Sequence, residues 1–303
     1  MTTLLDRRIE RLAGNRARQL LRDGMSREVV DLRSQVIELR AEVEQMQAGR
    51  FAVDLLLGAH GRRNSRLISE TALRELADQV RQVTGDSQAY GRIVQAYRML
   101  FELELRGVGR LGGGVRNVLG KLATTPLLNP PNGEVLEVGT LFGLFSAGMA
   151  RQISRIGLHY HVTIVDPLST VPLTGDPRAP DASGSPVTET VVRANLALAG
   201  VDDDRLRLVQ GFSRDPQVQA RIADRQYGVM IIGGDRSEPG VAGDLALAER
   251  IVATGGLVVV DDFGDSSCPG VELATRAHLE TPTAGSRLDL VGVVATSAFL
   301  RAR

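Results

Sequence analysis

The stretch that decides the fold is Glu134-Val135-Leu136-Glu137-Val138-Gly139-Thr140-Leu141-Phe142-Gly143. Its first half is a short apolar run that is typical of a buried strand, and Gly139 follows directly. A glycine at this point permits a tight turn in which the backbone comes close to a ligand. A helix expected from Phe145 would present its N-terminal amides to that ligand. The stretch therefore predicts a strand, a ligand-binding turn and a helix.

The alternation of strand and helix continues beyond this stretch. Apolar runs without polar alternation, such as 229–232 and 257–260, indicate strands that are buried on both faces of a parallel sheet. Five strands are predicted over Glu134–Val138, His161–Asp166, Leu206–Gln210, Gly228–Ile232 and Leu257–Asp261, and an antiparallel hairpin over Leu288–Val294 and Thr296–Leu300. The helices between them are predicted over Phe145–Ile156, Val187–Ala199, Pro216–Asp224, Val241–Ala253 and Gly270–Leu279. The fold class is α/β, a doubly wound, mostly parallel seven-stranded sheet with its ligand site at the carboxyl ends of the strands.

Residues 1–128 are predicted to form a helical region, and residues 129–303 the α/β domain. The boundary follows from the turn at Pro130-Pro131. Helices are expected over Ser65–Val83, Ser87–Arg106 and Val115–Leu122. Apolar residues also recur in alternating steps of four and three, with charged residues between them, at Met25, Val29, Leu32, Val36, Leu39, Val43 and Met46. This heptad seam predicts a short coiled coil over about residues 25–48 and a homo-oligomer, although one amphipathic helix packed on its own domain has the same pattern.

Composition excludes several classes of protein. The chain has 36 basic and 36 acidic residues, 4% aromatic residues and no tryptophan, which disfavours a nucleic-acid partner. No apolar run approaches the roughly 18 to 20 residues that span a bilayer, and the charged N-terminus lacks a signal-peptide pattern. Cys268 is the only cysteine, so neither a disulfide framework nor a thiolate zinc site is available. We expect a cytoplasmic protein, in which any catalytic lysine must be Lys121, the only lysine.

The glycine pattern distinguishes between two kinds of nucleotide-containing cofactor. A dinucleotide fingerprint needs a second glycine two positions after the first, where this chain has Leu141. The observed pattern, Glu-x-Gly-x-x-x-Gly, resembles motif I of class I S-adenosylmethionine (SAM) methyltransferases. That resemblance implies a SAM-binding segment made of Glu137, Gly139, Thr140 and Gly143. An NAD(P)-dependent oxidoreductase is therefore the less favoured interpretation.

Three further residues extend the resemblance. Asp166 ends the second strand and resembles the acidic residue that binds the ribose of SAM, since a carboxylate can accept from both hydroxyls of a diol. Ser213 follows the third strand in Gly211-Phe212-Ser213 and resembles the adenine-contacting serine of catechol-type O-methyltransferases, although a helix N-cap is an alternative role. Asp235 follows the fourth strand, and the resemblance implies that it contacts SAM as well.

The segments after the fourth and fifth strands, Gly233-Gly234-Asp235-Arg236, Gly255-Gly256, Asp261-Asp262 and Pro269-Gly270-Val271, follow in order. They resemble the Asp-Gly-Asp-His, Gly-Gly, Asp-Asp and Pro-Gly-Val boxes of the cephalosporin-hydroxylase-type and macrocin-type O-methyltransferases of natural-product clusters. The resemblance covers residues 134–279. It implies SAM-dependent methylation of a hydroxyl on a small molecule, such as a natural product or a sugar.

The same resemblance implies a metal site. Asp235, Asp261 and Asp262 follow two neighbouring strands, and three carboxylates at one place would suit Mg²⁺. Such an ion would hold the acceptor hydroxyl and lower its pKa. Alternatively, Asp235 supports SAM or a turn, and Asp261-Asp262 caps a strand. Two positions depart from the family pattern: Gly233 replaces its first aspartate, and Arg236 its histidine.

Arginine cannot act as a base near neutral pH. Asp235 and Glu238 are the candidate catalytic residues, and Asp265 is a further possible base. Alternatively, a hydroxyl held by the metal ion needs no strong protein base. The Pro- and Gly-rich segment 167–190 is expected to form a lid over the acceptor, with a plain flexible insertion as the alternative. The alternative function is a non-catalytic protein with a SAM-binding fold that acts as a dimerisation or partner-binding scaffold.

Overall fold

The computed structural model describes residues 14, 29, 31–46, 68–109, 111, 114–168, 187–280 and 287–303. The contacts within the chain divide it into two units, Met1–Val53 and Asp54–Arg303. In the first unit, residues 31–46 form helix α1. The described members of the heptad seam are 44–66% exposed. Met25 lies outside the described residues, and the coiled coil between subunits stays a prediction.

The second unit begins with three helices, α2 (Glu70–Thr84), α3 (Ala89–Leu105) and α4 (Val115–Leu127). The Ser69 side chain accepts a hydrogen bond from the Ala72 N–H and starts α2, and Gly85, in the left-handed region at φ 74°, ends it. Helix α4 continues five residues beyond its predicted end at Leu122. The prediction failed there because this part of α4 is held by tertiary packing, with every residue from Leu119 to Pro126 buried.

The sheet has seven strands in the order β3-β2-β1-β4-β5-β7-β6. These are β1 (Gly133–Val138), β2 (Tyr160–Asp166), β3 (Leu206–Gln210), β4 (Tyr227–Ile232), β5 (Val252–Asp261), β6 (Leu288–Val294) and β7 (Ser297–Ala302). The first five are parallel, and β7 pairs antiparallel with both β5 and β6. The predicted fold class, with its terminal antiparallel hairpin, is confirmed.

Helices cover both faces of the sheet. They are α5 (Leu144–Arg155), α6 (Glu189–Leu198), α7 (Pro216–Ile222), α8 (Glu238–Ile251) and α9 (Pro269–Glu280), with a short 3₁₀ helix at Asp203–Arg205. Val229 and Ile231 belong to a core shared with α2–α6, whereas Met230 and Ile232 belong to a core shared with α7–α9. Successive residues of a strand point to opposite faces, so a strand between two helical layers must be apolar throughout.

Two element boundaries differ from prediction around helix α8. The helix begins at Glu238 rather than Val241, because the Ser237 side chain accepts from the Gly240 N–H and caps it. It ends at Ile251, and β5 begins at Val252, which pairs with Tyr227 before a register shift in the ladder. The predicted helix to Ala253 was therefore wrong at its end. Among the described helices, none is long and apolar enough to cross a membrane.

Candidate active site

The loop after β1 is a glycine turn in close contact with the loop after β4. Gly139 has φ 86°, and its N–H donates to the Val165 carbonyl oxygen at 2.9 Å. A Cβ atom on residue 139 would lie 2.4 Å from the Gly234 Cα atom. Residue 139 must therefore be glycine for two reasons, the left-handed backbone and the closeness of the neighbouring chain. This turn is a backbone cradle at the carboxyl end of the sheet.

Asp166 lies beside this turn at the end of β2. Its Oδ2 accepts from the Thr140 N–H at 2.7 Å, and its Oδ1 accepts from the Leu168 N–H at 2.6 Å. Burial raises the pKa of Asp166, although both backbone hydrogen bonds oppose this. Each carboxylate oxygen can accept a further hydrogen bond. A diol such as that of a ribose fits this acceptor set.

Glu137 connects β1 to the first turns of α5. It is buried, and its Oε2 accepts a hydrogen bond from the Ser146 hydroxyl. Burial raises the pKa of Glu137 to about 7, although the Ser146 hydrogen bond and the charge of Lys121 both act to lower it. Gly143, at φ 83°, starts α5 and packs against the Leu196 side chain. The structure thus gathers Glu137, Gly139, Thr140 and Gly143 at one place.

Ser213 lies in the loop between β3 and α7, close to the buried side chain of Asp244 on α8. Burial raises the pKa of Asp244 to about 6, and Ser213 opposes this. The Asp244 Oδ2 atom has no hydrogen-bond partner among the described residues. Asp215, rather than Ser213, caps α7, because the Asp215 side chain accepts from the Gln217 N–H. Asp244 was missed from the sequence, since nothing local distinguishes it from a surface aspartate of a helix.

A buried ion pair lies at the end of β5. Lys121 of α4 donates through Nζ to Asp261 Oδ2, and its side chain is only 5% exposed. Asn117 donates to Asp261 Oδ1 at 2.6 Å, and the Ser297 hydroxyl lies 3.4 Å from the same atom. Burial alone would raise the pKa of Asp261, but the charge and hydrogen bond of Lys121, with help from Asn117, hold it below its ordinary value. Asp261 is therefore a carboxylate with both oxygens engaged.

Asp262 forms a second ion pair next to the first. Its Oδ2 accepts from Arg236 Nε. Burial and the neighbouring Asp261 charge raise the pKa of Asp262, against the opposing charges of Arg236 and Lys121. Asp262 also has φ 59°, a left-handed conformation that costs energy for a residue other than glycine. Strained residues of this kind concentrate at functional sites.

The remaining acidic candidates are more exposed. Asp235 Oδ1 accepts from the Ser237 N–H at 2.9 Å, its Oδ2 lies 3.9 Å from Arg214 Nη1, and its side chain is 39% exposed. Glu238 is an exposed residue at the start of α8. Asp265 accepts from the N–H and hydroxyl of Ser267 and closes a turn. Residues 169–186 of the expected lid lie outside the described residues.

The predicted three-carboxylate metal site is not formed. The part of the chain that the structure describes contains no group of three or more His, Cys, Asp or Glu side chains that could hold a metal ion. The physical reason is local charge: Lys121 and Arg236 occupy the Asp261 and Asp262 carboxylates, and Asp235 is turned into the loop before α8. Lys121 precedes residues 134–279, the segment that resembles the family, so the resemblance does not predict its contact with Asp261.

Comparison with known proteins identifies a domain within the chain. A family model described as a methyltransferase domain matches residues 136–263. This segment of the chain is therefore a methyltransferase domain. Within the matched segment lie the glycine turn, Asp166, Ser213 and both aspartates of the β5 end. Among curated proteins, none matches the chain.

The solved structures that this chain resembles are distant from it in sequence. Cofactor-bound Rv0187 from MTB is 19% identical over 78% of this chain and 99% of its own, with a TM-score of 0.45. CalS11, a TDP-rhamnose 3'-O-methyltransferase of calicheamicin biosynthesis, is 15% identical over 85% and 94% of the two chains, with a TM-score of 0.45. The SAH-bound Podospora anserina methyltransferase PaMTH1 is 14% identical over 85% and 96%, with a TM-score of 0.42. Likenesses this distant carry no information about the acceptor.

Proposed function

We propose that this methyltransferase methylates the hydroxyl group of a small molecule, of the natural-product or sugar class. The observation that carries the proposal is the polar cluster at the end of β5, formed by Lys121, Asp261, Asp262 and Arg236. This cluster and the glycine turn both lie at the carboxyl ends of the parallel strands. A hydroxyl acceptor needs hydrogen-bond partners and positive charge beside its oxygen, because that oxygen loses a proton during the reaction.

The cofactor would be held by the residues of the carboxyl edge. We assign the diol of its ribose to Asp166, its methionine part to the turn at Gly139 and Thr140, and its adenine to Ser213, with Glu137, Gly143 and Asp235 in supporting positions. When bound, SAM supplies a methyl group to direct displacement: the acceptor oxygen bonds to the methyl carbon while the carbon–sulfur bond breaks and its electron pair goes to sulfur. The protein contributes mainly by holding the reacting atoms in line.

The acceptor proton must pass to a base, and we propose Asp235 for this role, with Glu238 as the second candidate. Asp235 Oδ1 accepts from the Ser237 N–H, whereas Oδ2 accepts no hydrogen bond from a described residue and lies 3.9 Å from Arg214 Nη1. One carboxylate oxygen of Asp235 is thus available to accept a proton. Asp235→Asn should lower kcat of methyl transfer by roughly 100-fold or more. Glu238→Gln should leave kcat within a few-fold, and the reverse pattern would exchange the two roles.

The first experiment is calorimetric titration of SAM into the wild type and Asp166→Ala. Because Asp166 is the one buried carboxylate assigned to the ribose, the variant should weaken SAM binding at least about tenfold, which is 1.4 kcal/mol. Asp78→Ala is the matched control, since Asp78 is exposed on α2 and pairs with Arg81 of the same helix. A library of hydroxyl compounds is then screened for release of S-adenosylhomocysteine. Equal SAM affinity of wild type and Asp166→Ala would contradict the assignment of the ribose.

The alternative function is a SAM-fold scaffold without catalysis, and one observation favours it. Gly233 and Arg236 replace the aspartate and histidine of the family pattern, and both remaining carboxylates of the β5 end are held in ion pairs. A scaffold of this kind would bind SAM without releasing S-adenosylhomocysteine for any acceptor. The titration and the screen together therefore separate the two functions.

We also propose that helix α1 pairs with α1 of a second copy of this chain. Leu32, Val36 and Leu39 of the heptad seam are exposed within one chain. Glu28 and Arg33, which carry opposite charges, lie at the positions that flank the seam. Charged residues at these positions form ion pairs between helices and determine which helices pair in a coiled coil. The expected assembly is a dimer or a higher even-numbered oligomer.

A further inference from the structure

The carboxylates at the end of β5 are charge-neutralised by the protein itself. Lys121 and Asp261 form one pair, with side chains 5% and 16% exposed, and Arg236 and Asp262 form the other, at 29% and 16%. Two negative charges are thus balanced by two positive charges within one cluster. The charge of Lys121 also reaches Glu137 at the end of β1, where it acts to lower the pKa. The charges of this cluster therefore act on the carboxyl end of the sheet, where we place the cofactor.

A divalent cation would need the oxygen atoms that these pairs already use. Mg²⁺ binds carboxylate oxygens directly, at about 2.0–2.1 Å. Asp261 Oδ2 accepts from Lys121, and Asp261 Oδ1 accepts from Asn117 and from the Asp262 N–H. A metal ion at this place would also be repelled by the Lys121 and Arg236 charges. The donor set therefore does not fit the metal that the family resemblance implies.

The backbone nevertheless keeps room for the missing aspartate of the family pattern. A Cβ atom on residue 233 would lie 3.6 Å from Asp261 Oδ2, an ordinary van der Waals distance. Gly233 is not among the residues with positive φ, so an aspartate side chain meets no backbone strain there. A carboxylate at position 233 would begin next to Asp261. This site therefore differs from a metal site in the identity of its side chains and not in the shape of its backbone.

We propose that Lys121 and Arg236 take the place of a divalent cation in this methyltransferase. They hold Asp261 and Asp262, and they place fixed positive charge beside the acceptor oxygen. Lys121 has three N–H donors, and its bond to Asp261 uses one of them. A preorganised N–H donor in a water-poor site stabilises a developing negative charge on oxygen. The statement about the acceptor rests on the proposed O-methyl transfer, whereas the exclusion of a metal by the two ion pairs does not.

The test measures Mn²⁺ binding to the full chain by electron paramagnetic resonance, so that it needs no acceptor. We expect no saturable binding by the wild type. Lys121→Ala combined with Gly233→Asp should bind Mn²⁺ saturably, and adding Asp261→Asn should abolish the binding. The matched control is Lys121→Ala with Gly243→Asp, which adds the same charge at an exposed helical glycine with open space around it. Lys121→Arg with Gly233→Asp, which keeps the cation, should bind at least about tenfold more weakly than the Lys121→Ala pair.

Thermal unfolding is the second measurement, because Lys121→Ala leaves Asp261 buried without its partner. Mn²⁺ at about 100 times its Kd should raise the Tm of the Lys121→Ala/Gly233→Asp variant by roughly 5–10 °C and leave the wild type unchanged. If that variant does not fold, Lys121→Gln/Gly233→Asp replaces it, since glutamine removes the charge but keeps an N–H donor.

Two results would overturn the proposal. One is Mn²⁺ binding by the wild type that Asp261→Asn abolishes, and the other is a folded Gly233→Asp variant without Lys121 that binds no Mn²⁺. Failure of the proposed function has a different signature: no hydroxyl compound is methylated, while the Mn²⁺ titrations turn out as expected. With an acceptor in hand, the transfer rate of the wild type should be unchanged by a chelator.

Discussion

Replacement of Gly139 by alanine tests the assignment of the glycine turn. The backbone at residue 139 has φ 86°, where a side chain costs about 1–2 kcal/mol. The new Cβ atom would also lie 2.4 Å from Gly234 Cα, so the loops after β1 and β4 must separate. Overpacking of this kind costs about 1–3 kcal/mol. The free energy of unfolding should therefore fall by about 2–5 kcal/mol, which lowers Tm by roughly 4–20 °C for a unit of this size.

Gly200→Ala is the matched control for this prediction. Gly200 has the same φ of 86°, but no atom lies within 4 Å of a Cβ atom built on it. It should lose only the backbone contribution of about 1–2 kcal/mol. Urea unfolding gives both stabilities, and calorimetry gives SAM affinity, which should fall at least about tenfold in Gly139→Ala alone. Equal destabilisation of the two variants, with SAM binding intact in both, would refute the close contact of the loops and the role of the turn.

Two further predictions concern the buried aspartate of α8 and the seam of α1. The native Asp244 side chain keeps its proton up to about pH 6, whereas the ordinary pKa is 3.8, so its stabilising contribution is complete below pH 3.8 and is lost as pH rises through about 6. The free energy of unfolding should fall by about 3 kcal/mol over this pH range. Urea unfolding at several pH values should show this fall in the wild type but not in Asp244→Asn. Identical pH profiles of the two proteins would contradict the prediction. Leu32→Glu with Leu39→Glu should reduce the mass measured by sedimentation to that of one chain. Ile37→Glu, also exposed but outside the seam, should leave the oligomer intact, and loss of the oligomer in this control would contradict the assigned seam.

The sequence by itself determined the sheet and the glycine turn after β1. A strand between two helical layers must be apolar on both faces, and runs such as 257–260 are apolar at every position for this reason. The turn was equally readable, because the left-handed backbone at Gly139 and Gly143 restricts those positions to glycine. The place of Asp166 at the end of β2 was predicted for the same local reason. The start of β5 was predicted too late in the chain, because the pairing of Val252 with Tyr227 sets it rather than the local apolar pattern.

Only the tertiary structure decided the charges at the end of β5. Lys121 meets Asp261 across 140 positions of sequence, and Ser297 reaches the same carboxylate from a different strand. No periodicity or motif encodes such a meeting, because it depends on how α4 packs at the carboxyl edge of the sheet. Three aspartates at strand ends therefore predicted a metal site, although the carboxylates of two were already held by cations. Local sequence determines which elements form and where a turn is possible, whereas the pairing of buried charges follows from packing between distant elements.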